Sequence, residues 1–232
     1  MRFLEKLSYI SEMNRLSLMF NLAAVFIISG IIWQTGIYRK RGKLEDKLFF
    51  SAEILLIAMA MIDMIGSVLN GQGAPAAAAL NHISNHVFFI LFALICGMLA
   101  LFFAQRARGG YENNRQKRIL FMLPAFAEIA AILTNSFTGS FFYIDSETKA
   151  YTLGHLYGLI YIVPVFYVIL SIIMSSKSNP GSIWFFLLII VVRMLLGLTS
   201  NGVSSTSVCL AIGLAYIQIH IALEPFYEED EI

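Results

Sequence analysis

Seven apolar stretches, each long enough to cross a lipid bilayer, occupy almost the whole of this 232-residue chain. A membrane-spanning helix needs about 20 mostly apolar residues. Hydrophobic residues make up 58% of the chain and charged residues 13%, so a soluble fold would leave most apolar helix faces uncovered. The sequence therefore predicts an all-α membrane protein, a single domain (residues 1–232) built as a seven-transmembrane helix bundle. The predicted segments, numbered one to seven, are 14–38, 47–69, 80–105, 117–136, 154–174, 182–200 and 203–223.

The loops between these segments differ in positive charge, and this difference predicts the orientation in the membrane. Lys and Arg are retained on the cytoplasmic side during insertion. The richer side holds Arg39, Lys40, Arg41, Lys43, Lys47, Arg106, Arg108, Arg115, Lys117, Arg118 and Lys177, and the poorer side holds Arg2, Lys6, Arg15 and Lys149. We therefore expect a multi-pass protein of the cell membrane with its amino terminus outside and its carboxyl terminus in the cytoplasm.

Length, net charge and missing motifs narrow the classes of function. The seven segments and their connections leave no room for a soluble domain, so we expect any cytosolic output domain to lie outside this chain. The net charge of +1 argues against a nucleic-acid partner, because topology already accounts for the basic residues. The sequence has no nucleophile elbow and no phosphate-binding loop, and segment seven lacks the lysine of a retinal Schiff base. We therefore expect no enzymatic activity and no cofactor.

The connection between segments four and five, residues 137–153, carries the pattern of a β-hairpin. Aromatic and β-branched residues lie on both sides of the polar turn at residues 146–149, and such flanks favour paired strands. One interpretation is a lid over the outer mouth of the bundle. The other is an ordinary interfacial loop whose aromatic side chains form a belt at the membrane surface. These aromatic residues are Phe141, Phe142, Tyr143 and Tyr151.

Glycine and proline predict where the helices end and bend. Residues 70–79, which contain two glycines, a proline and five alanines, are expected to form a flexible outer turn before segment three. Pro124 lies early in segment four and Pro164 lies in the middle of segment five. Each proline removes a backbone donor, so we expect each to bend its helix.

Ionisable residues inside the apolar segments are expected to face the interior of the bundle, because a charge in lipid costs about 2.5–3.5 kcal/mol. Arg193 in segment six and Glu128 in segment four lie at similar depths and are the best candidates for a buried ion pair. Asp63 in segment two is the second candidate partner of Arg193. The pair is either a structural staple between helices, or Arg193 is a counter-ion for an anionic ligand or part of a bistable switch.

Segment three opens with a polar cluster at residues 81–86. The i, i+4 spacing stacks Asn81 over Asn85 and His82 over His86 on neighbouring stripes of the helix. His155 begins segment five just after the predicted hairpin, so three of the four histidines gather at the outer rim. These residues are expected to form a hydrogen-bonding mouth of a pocket, or else they are simply interfacial.

Three stretches of the sequence share a distinctive pattern with a known family. They are Asn135-Ser-Phe-Thr-Gly-Ser-Phe-Phe-Tyr-Ile-Asp145, then Tyr151-Thr-Leu-Gly154-His-Leu-Tyr157 with Tyr161, and Leu214-Ala-Tyr216-Ile-Gln218-Ile-His220. In these stretches and in its topology the chain resembles the seven-helix sensor module at the amino termini of bacterial histidine kinases and diguanylate cyclases. Members of that family normally continue into a PAS, kinase or GGDEF domain, whereas this chain stops at Ile232. The resemblance implies ligand sensing in a two-component or cyclic-di-GMP system, with segment seven as the exit into the cytosol, and it supplies no catalytic residues.

We therefore expect a receptor module that binds an unidentified small molecule arriving from outside, beneath the hairpin. Differential binding to two arrangements of the bundle would shift segment seven and act on a cytosolic signalling domain or protein. The expected ligand-binding residues are Asp63, Asn81, His82, Asn85, His86, Tyr143, Tyr151, His155 and Arg193. The lipid bilayer is a further partner, and a homodimer is an open alternative to a monomer.

Two other functions are weighed against the receptor. A small transporter or channel would use the buried charges as a path, but no repeat relates the first and second groups of segments. An intramembrane metal-dependent enzyme would hold zinc with His82, His86 and a carboxylate such as Asp63 or Asp145. The i, i+4 histidines suit that geometry, but the sequence lacks a companion acidic or cysteine pattern, so this function is the least favoured.

Overall fold

The computed structural model describes residues 11–38, 44–108, 115–175 and 204–229, which form an all-α bundle with one small hairpin. Its α-helices are α1 (Glu12–Tyr38), α2 (Leu44–Leu69), α3 (Pro75–Arg108), α4 (Arg115–Thr138), α5 (Ile162–Ser175) and α6 (Thr206–Glu229). The strands are β1 (Phe142–Ile144) and β2 (Tyr151–Leu153), and a 3₁₀-helix covers Tyr157–Tyr161. These helices correspond to predicted segments one to five and seven, while segment six lies outside the described residues.

Four of the described helices, α1 to α4, are long and apolar enough to cross a membrane. Large apolar side chains point away from the bundle on these helices; Phe26 on α1 is 70% exposed and Leu120 on α4 is 68% exposed. Such a surface suits lipid, because hydrocarbon tails are as apolar as these side chains. The expectation of a multi-pass membrane protein is supported to this extent.

Helix α3 is the central element of the described bundle. It packs against α2, α4, α5 and β1, while α1 packs against α2 and α6. Accordingly, 72% of the apolar window of α3 is buried, compared with 22–33% for α1, α2 and α4. Its buried side chains include Phe92, Ile95, Leu99 and Phe102. A helix that is apolar on all sides is best placed in the interior, which is where α3 lies.

The start of α3 differs from the prediction. The helix begins at Pro75 rather than at residue 80, so the outer turn is confined to residues 70–74. Proline suits the first helical position because its missing N–H has no partner there, and alanine is the strongest helix former. The shortened turn is also held in place, since the Gly71 backbone N–H donates to the Lys149 carbonyl at 3.1 Å.

The start of α5 also differs from the prediction, which placed a continuous helix over residues 154–174. The chain instead forms a turn at 154–156 and the 3₁₀-helix before α5 begins at Ile162. Pro164 therefore lies in the first turn of α5, not in the middle of a helix. Proline is tolerated there because the first-turn N–H groups have no partner within the helix. The expectation that Pro164 bends the middle of a helix is wrong.

Pro124 lies inside α4 as predicted, and the tyrosine Tyr167 of α5 completes the backbone pairing beside it. The Tyr167 hydroxyl donates to the Phe121 carbonyl at 2.9 Å and accepts from the Ala125 N–H at 3.2 Å. A regular α-helix pairs the groups at 121 and 125 directly. The hydroxyl is thus inserted into the hydrogen-bond ladder of α4, a known cause of helix kinks.

The predicted hairpin is present between α4 and α5. Strands β1 and β2 pair antiparallel, with Phe142 opposite Leu153, Tyr143 opposite Thr152 and Ile144 opposite Tyr151. Contacts with the α2–α3 turn place the hairpin at the same end of the bundle as residues 70–74. This end, comprising residues 70–74 and 139–156, is called the hairpin end below.

Candidate ligand site beside the hairpin

Phe142 seats the hairpin on the bundle. Its side chain is fully buried, with ring centroids 4.7 Å from His86 and 5.2 Å from Phe89 on α3, and 5.7 Å from Tyr151 on β2. Aromatic pairs at such distances stabilise a contact by about 0.5–1.5 kcal/mol beyond area burial. The space between Phe142 and α3 is therefore filled by rings, and Phe142 is not part of an exposed aromatic belt.

Asn135, near the end of α4, holds the backbone of the hairpin in place. It is fully buried; its Oδ1 accepts from the Phe141 N–H at 2.8 Å and its Nδ2 donates to the Phe142 carbonyl at 2.8 Å. Its own carbonyl accepts from the Gly139 N–H at 2.9 Å. One side chain thereby satisfies the N–H of the residue before β1 and the first carbonyl of β1. The position of β1 on α4 follows from this residue.

The histidines His82 and His86 have different roles in the structure. The Nδ1 atom of His86 lies 2.9 Å from the His82 carbonyl oxygen, so this nitrogen carries a proton and donates. In the neutral ring Nε2 then accepts from the Ser136 hydroxyl at 3.1 Å. Both nitrogens of His86 are occupied by the protein, whereas His82 lines an open cavity.

Asn70, in the turn between α2 and α3, connects the hairpin to two helices. Its Oδ1 accepts from the Tyr151 backbone N–H at 2.7 Å and from Asn81 Nδ2 of α3 at 3.3 Å. Its Nδ2 donates to Asn14 Oδ1 of α1 at 3.4 Å. Asn85 donates in turn to the Asn81 carbonyl at 2.8 Å. The hairpin is thus hydrogen-bonded through one asparagine to the first turn of α1 and the second turn of α3.

A cavity of about 360 Å³ opens beside the hairpin. It lies between the first turns of α3, the end of α4, and β1 with the turn that follows it. Its lining includes His82 from α3, Ser136 from α4, and Tyr143, Asp145 and Lys149 from the hairpin. Small-molecule sites typically measure about 300–1,000 Å³, so the cavity suits a ligand at the lower end of that range.

Asp145 is the anionic group of this cavity. Its Oδ1 accepts from the Thr148 N–H at 2.7 Å, from the Thr148 hydroxyl at 2.9 Å and from the Glu147 N–H at 3.0 Å. These hydrogen bonds, that from the Thr148 backbone above all, lower the pKa of the Asp145 carboxyl below its usual value. The carboxylate is therefore charged at neutral pH while it also shapes the turn.

Lys149 is the cationic group of the cavity. It has φ of 54°, in the left-handed region, and its Nζ donates to the carbonyl of Ser146. Strand β2 begins two residues later at Tyr151, whose burial raises the pKa of its phenol well above the usual value. Tyr151 is therefore a neutral, protonated group throughout the physiological range.

The structure gathers most of the predicted binding residues at the hairpin end. His82 and Tyr143 line the cavity, and His86 and Tyr151 pack against Phe142 next to it. Asn81 and Asn85 belong to the hydrogen-bond network of Asn70. The residues gathered there are His82, His86, Asn81, Asn85, Tyr143 and Tyr151.

The other predicted binding residues that the structure describes do not line the cavity. His155 is exposed in the turn after β2 and does not begin a helix. Asp63 accepts from Asn21 Nδ2 of α1 at 2.7 Å, away from the lining of the cavity. Arg193 lies outside the described residues, so its pairing with Glu128 stays a prediction. Glu128 is 7% exposed, and among the described residues neither of its carboxylate oxygens has a hydrogen-bond partner.

Sequence reasoning missed the importance of Asn70 and Lys149. Asn70 precedes a glycine with positive φ, Gly71 at 77°, which is a common turn signal but gives no hint of a long-range contact. Its partners lie 11, 56 and 81 residues away in the sequence. From the sequence, Lys149 is a residue of the polar turn and one of the few basic residues on the poorer side of the membrane. Asn135 stood at the head of the stretch that carries the resemblance, without an assigned role.

Within ranges 11–38, 44–108, 115–175 and 204–229, no group of three or more His, Cys, Asp or Glu side chains is arranged to hold a metal ion. No protein-family model, curated protein or solved structure matches this chain. The fold and the site together define a class of protein: an all-α, multi-pass membrane protein with a hairpin and an adjoining cavity at one end.

Proposed function

We propose that this chain is the ligand-sensing module of a cell-membrane receptor. In this proposal the hairpin end faces the outside, a small molecule binds in the cavity beside the hairpin, and α6 carries the signal to a cytosolic domain or protein of the histidine kinase or diguanylate cyclase type. The chain itself has no catalytic role. The sequence resemblance and the geometry of the hairpin end support the proposal together.

The observation that carries the proposal is a series of polar contacts from the hairpin to the start of α6. The Tyr151 N–H of β2 donates to Asn70, and Asn70 is hydrogen-bonded to Asn14 on α1. Ser17, one turn after Asn14 on the same face of α1, accepts from the Ser204 N–H at 2.9 Å. Ser204 immediately precedes the first turn of α6. A shift of the hairpin therefore has a physical route to the exit helix.

A molecule bound in the cavity would contact the hairpin and could shift its position. The walls of the cavity belong to three elements, α3, α4 and the hairpin, so a bound molecule contacts all three. A ligand shifts an equilibrium between two arrangements only by its difference in affinity for them. Coupling free energies between two sites are typically about 1–3 kcal/mol, or about 5- to 150-fold in affinity.

The test joins the full chain to a diguanylate cyclase domain after its last residue and measures cyclic-di-GMP synthesis in membranes. Asn70→Ala removes the contact between the hairpin and α1, so we expect basal output to change by about fivefold or more in either direction. Ser17→Ala removes the next contact in the series and should change output in the same direction.

Gln72→Ala is the matched control for Asn70→Ala. Gln72 lies in the same turn, but its side chain donates to the Val68 carbonyl at the end of α2 and contacts neither α1 nor the hairpin by this bond. We expect it to leave output unchanged. Equal output from Asn70→Ala, Ser17→Ala and the unmodified chain, at equal amounts in the membrane, would contradict signal transfer through these contacts.

A further inference from the structure

Two side chains of opposite charge line the same cavity at the hairpin end. Asp145 and Lys149 stand at the two ends of the hairpin turn and both contribute to the lining. Their backbones are joined, because the Lys149 N–H donates to the Asp145 carbonyl at 3.0 Å. The turn therefore fixes the spacing of the two backbone positions that carry the charges.

The turn holds both charged groups by hydrogen bonds, and the Lys149 charge also helps to lower the pKa of the Asp145 carboxyl. All three hydrogen bonds to the Asp145 carboxylate reach Oδ1, and the Lys149 ammonium donates to the Ser146 carbonyl. Among the described residues no hydrogen bond connects the two side chains. An ammonium has three donors and a carboxylate has two acceptor oxygens, so each group keeps capacity for a ligand.

The remaining walls are largely apolar or aromatic. The lining includes Ala78, Ala79 and the imidazole of His82 from α3, and Tyr143 and Ile144 from the hairpin. An apolar wall with a few convergent polar groups is the usual composition of a small-molecule site. A ligand that matches this cavity carries a positive group, a negative group and a compact apolar part.

We propose that the cavity binds a free amino acid with an apolar side chain. Asp145 receives the α-ammonium group, Lys149 receives the α-carboxylate, and the side chain packs between Tyr143 and the alanines of α3. This ligand class rests on the proposed sensing function for its biological meaning, whereas binding itself is measured without any output domain.

The test uses three molecules that share one phenyl group and differ in charge. They are L-phenylalanine, phenethylamine, which lacks the carboxylate, and 3-phenylpropionate, which lacks the ammonium. Binding to the purified full chain in detergent is measured by ligand-observed NMR and calorimetry. We expect L-phenylalanine to bind at least about tenfold more tightly than either analogue, since each analogue lacks one of the two charge contacts.

Charge-removing variants assign each contact separately. Asp145→Asn keeps an acceptor oxygen for the turn, and should abolish the preference for L-phenylalanine over 3-phenylpropionate. Lys149→Asn suits the left-handed conformation and should abolish the preference over phenethylamine. Glu147→Gln is the matched control, because it removes a charge from the same turn at a side chain outside the cavity lining; both preferences should survive.

Several results would overturn the assignment. One is equal affinity for the three molecules, and another is no binding of L-phenylalanine at concentrations on the order of 10 mM. Tighter binding of glycyl-phenylalanine, in which the two charges are farther apart, would assign the site to peptides instead. Binding as expected combined with unchanged output from Asn70→Ala would retain this site and reject signal transfer through Asn70. The reverse pair of results would reject only the ligand.

Discussion

Two asparagines, Asn70 and Asn135, hold the hairpin because each places an acceptor and a donor on one short side chain. Asn135 bonds backbone groups of β1, and Asn70 bonds the backbone of β2. A two-stranded hairpin is marginal by itself in water, so such contacts with a larger body decide whether it persists. The hairpin is therefore stabilised by its contacts with α4 and with the α2–α3 turn.

Gly154, the residue after β2, is required by its surroundings. Its N–H donates to the Phe141 carbonyl at 2.8 Å, and a Cβ atom there would overlap the Ser140 carbonyl and lie 2.7 Å from the Gly139 oxygen. Because these neighbours are backbone, they cannot rotate away. We predict that Gly154→Ala costs about 1–3 kcal/mol and loosens the hairpin, as overpacked substitutions do. Thermal unfolding in detergent and the rate of trypsin cleavage after Lys149 measure the two effects.

Gly158 provides the control for this prediction. It lies four residues later in the 3₁₀-helix, and a Cβ atom there meets nothing within 4 Å. Gly158→Ala should therefore leave both the melting temperature and the cleavage rate near those of the unmodified chain. If the two alanine variants behave alike, the close contact at Gly154 does not constrain the hairpin.

At the scale of elements, α4 and α5 are connected by hydrogen bonds next to the proline of α4. Pro124 lacks the N–H that would pair with the carbonyl four residues before it, and its ring clashes with that carbonyl. The next pair of groups, at Phe121 and Ala125, is bridged by the Tyr167 hydroxyl. The distortion of one helix is thus satisfied by a side chain of its neighbour, which fixes how the two helices meet.

We predict that Tyr167→Phe destabilises the protein by about 1–3 kcal/mol, because the Ala125 N–H and Phe121 carbonyl lose their shared partner in a buried site. Hydrogen exchange at the Ala125 amide should accelerate as well. Tyr143→Phe removes the hydroxyl of an exposed tyrosine and should leave the unfolding free energy unchanged. Unaltered exchange at Ala125 in Tyr167→Phe would show that the hydroxyl does not support α4.

The starts of α3 and α5 illustrate which parts of these elements the sequence predicts. Hydropathy finds both apolar segments, because a helix that crosses a lipid bilayer must be mostly apolar along its whole length. It does not find the first turns, since Pro75 and Pro164 read as breaks although both occupy first turns where proline is tolerated. The hairpin was predicted because its strands and turn lie within 17 residues of sequence.

For the whole molecule, the sequence predicts the apolar spans, and four of the described helices have the required length and composition. It does not predict which helix is central or which polar residues meet. The contacts of Asn70 with Asn14 and Tyr151 join residues 56 and 81 positions apart, and no local pattern encodes such a separation. The cavity depends on those contacts, so its lining could be predicted only in part.

The orientation of the whole molecule follows from charge and has a direct test. Basic residues gather at the loops between α1 and α2 and between α3 and α4, whereas the hairpin lies at the opposite end. Retention of Lys and Arg in the cytoplasm predicts that the hairpin faces outward.

A cysteine introduced as Ser146→Cys in the exposed turn should therefore react with a membrane-impermeant thiol reagent on intact cells, while Gly110→Cys should react only after the cells are opened. Cys96 and Cys209 are buried, which limits background labelling. Labelling of Gly110→Cys but not Ser146→Cys on intact cells would reverse the orientation and place the cavity on the cytoplasmic side.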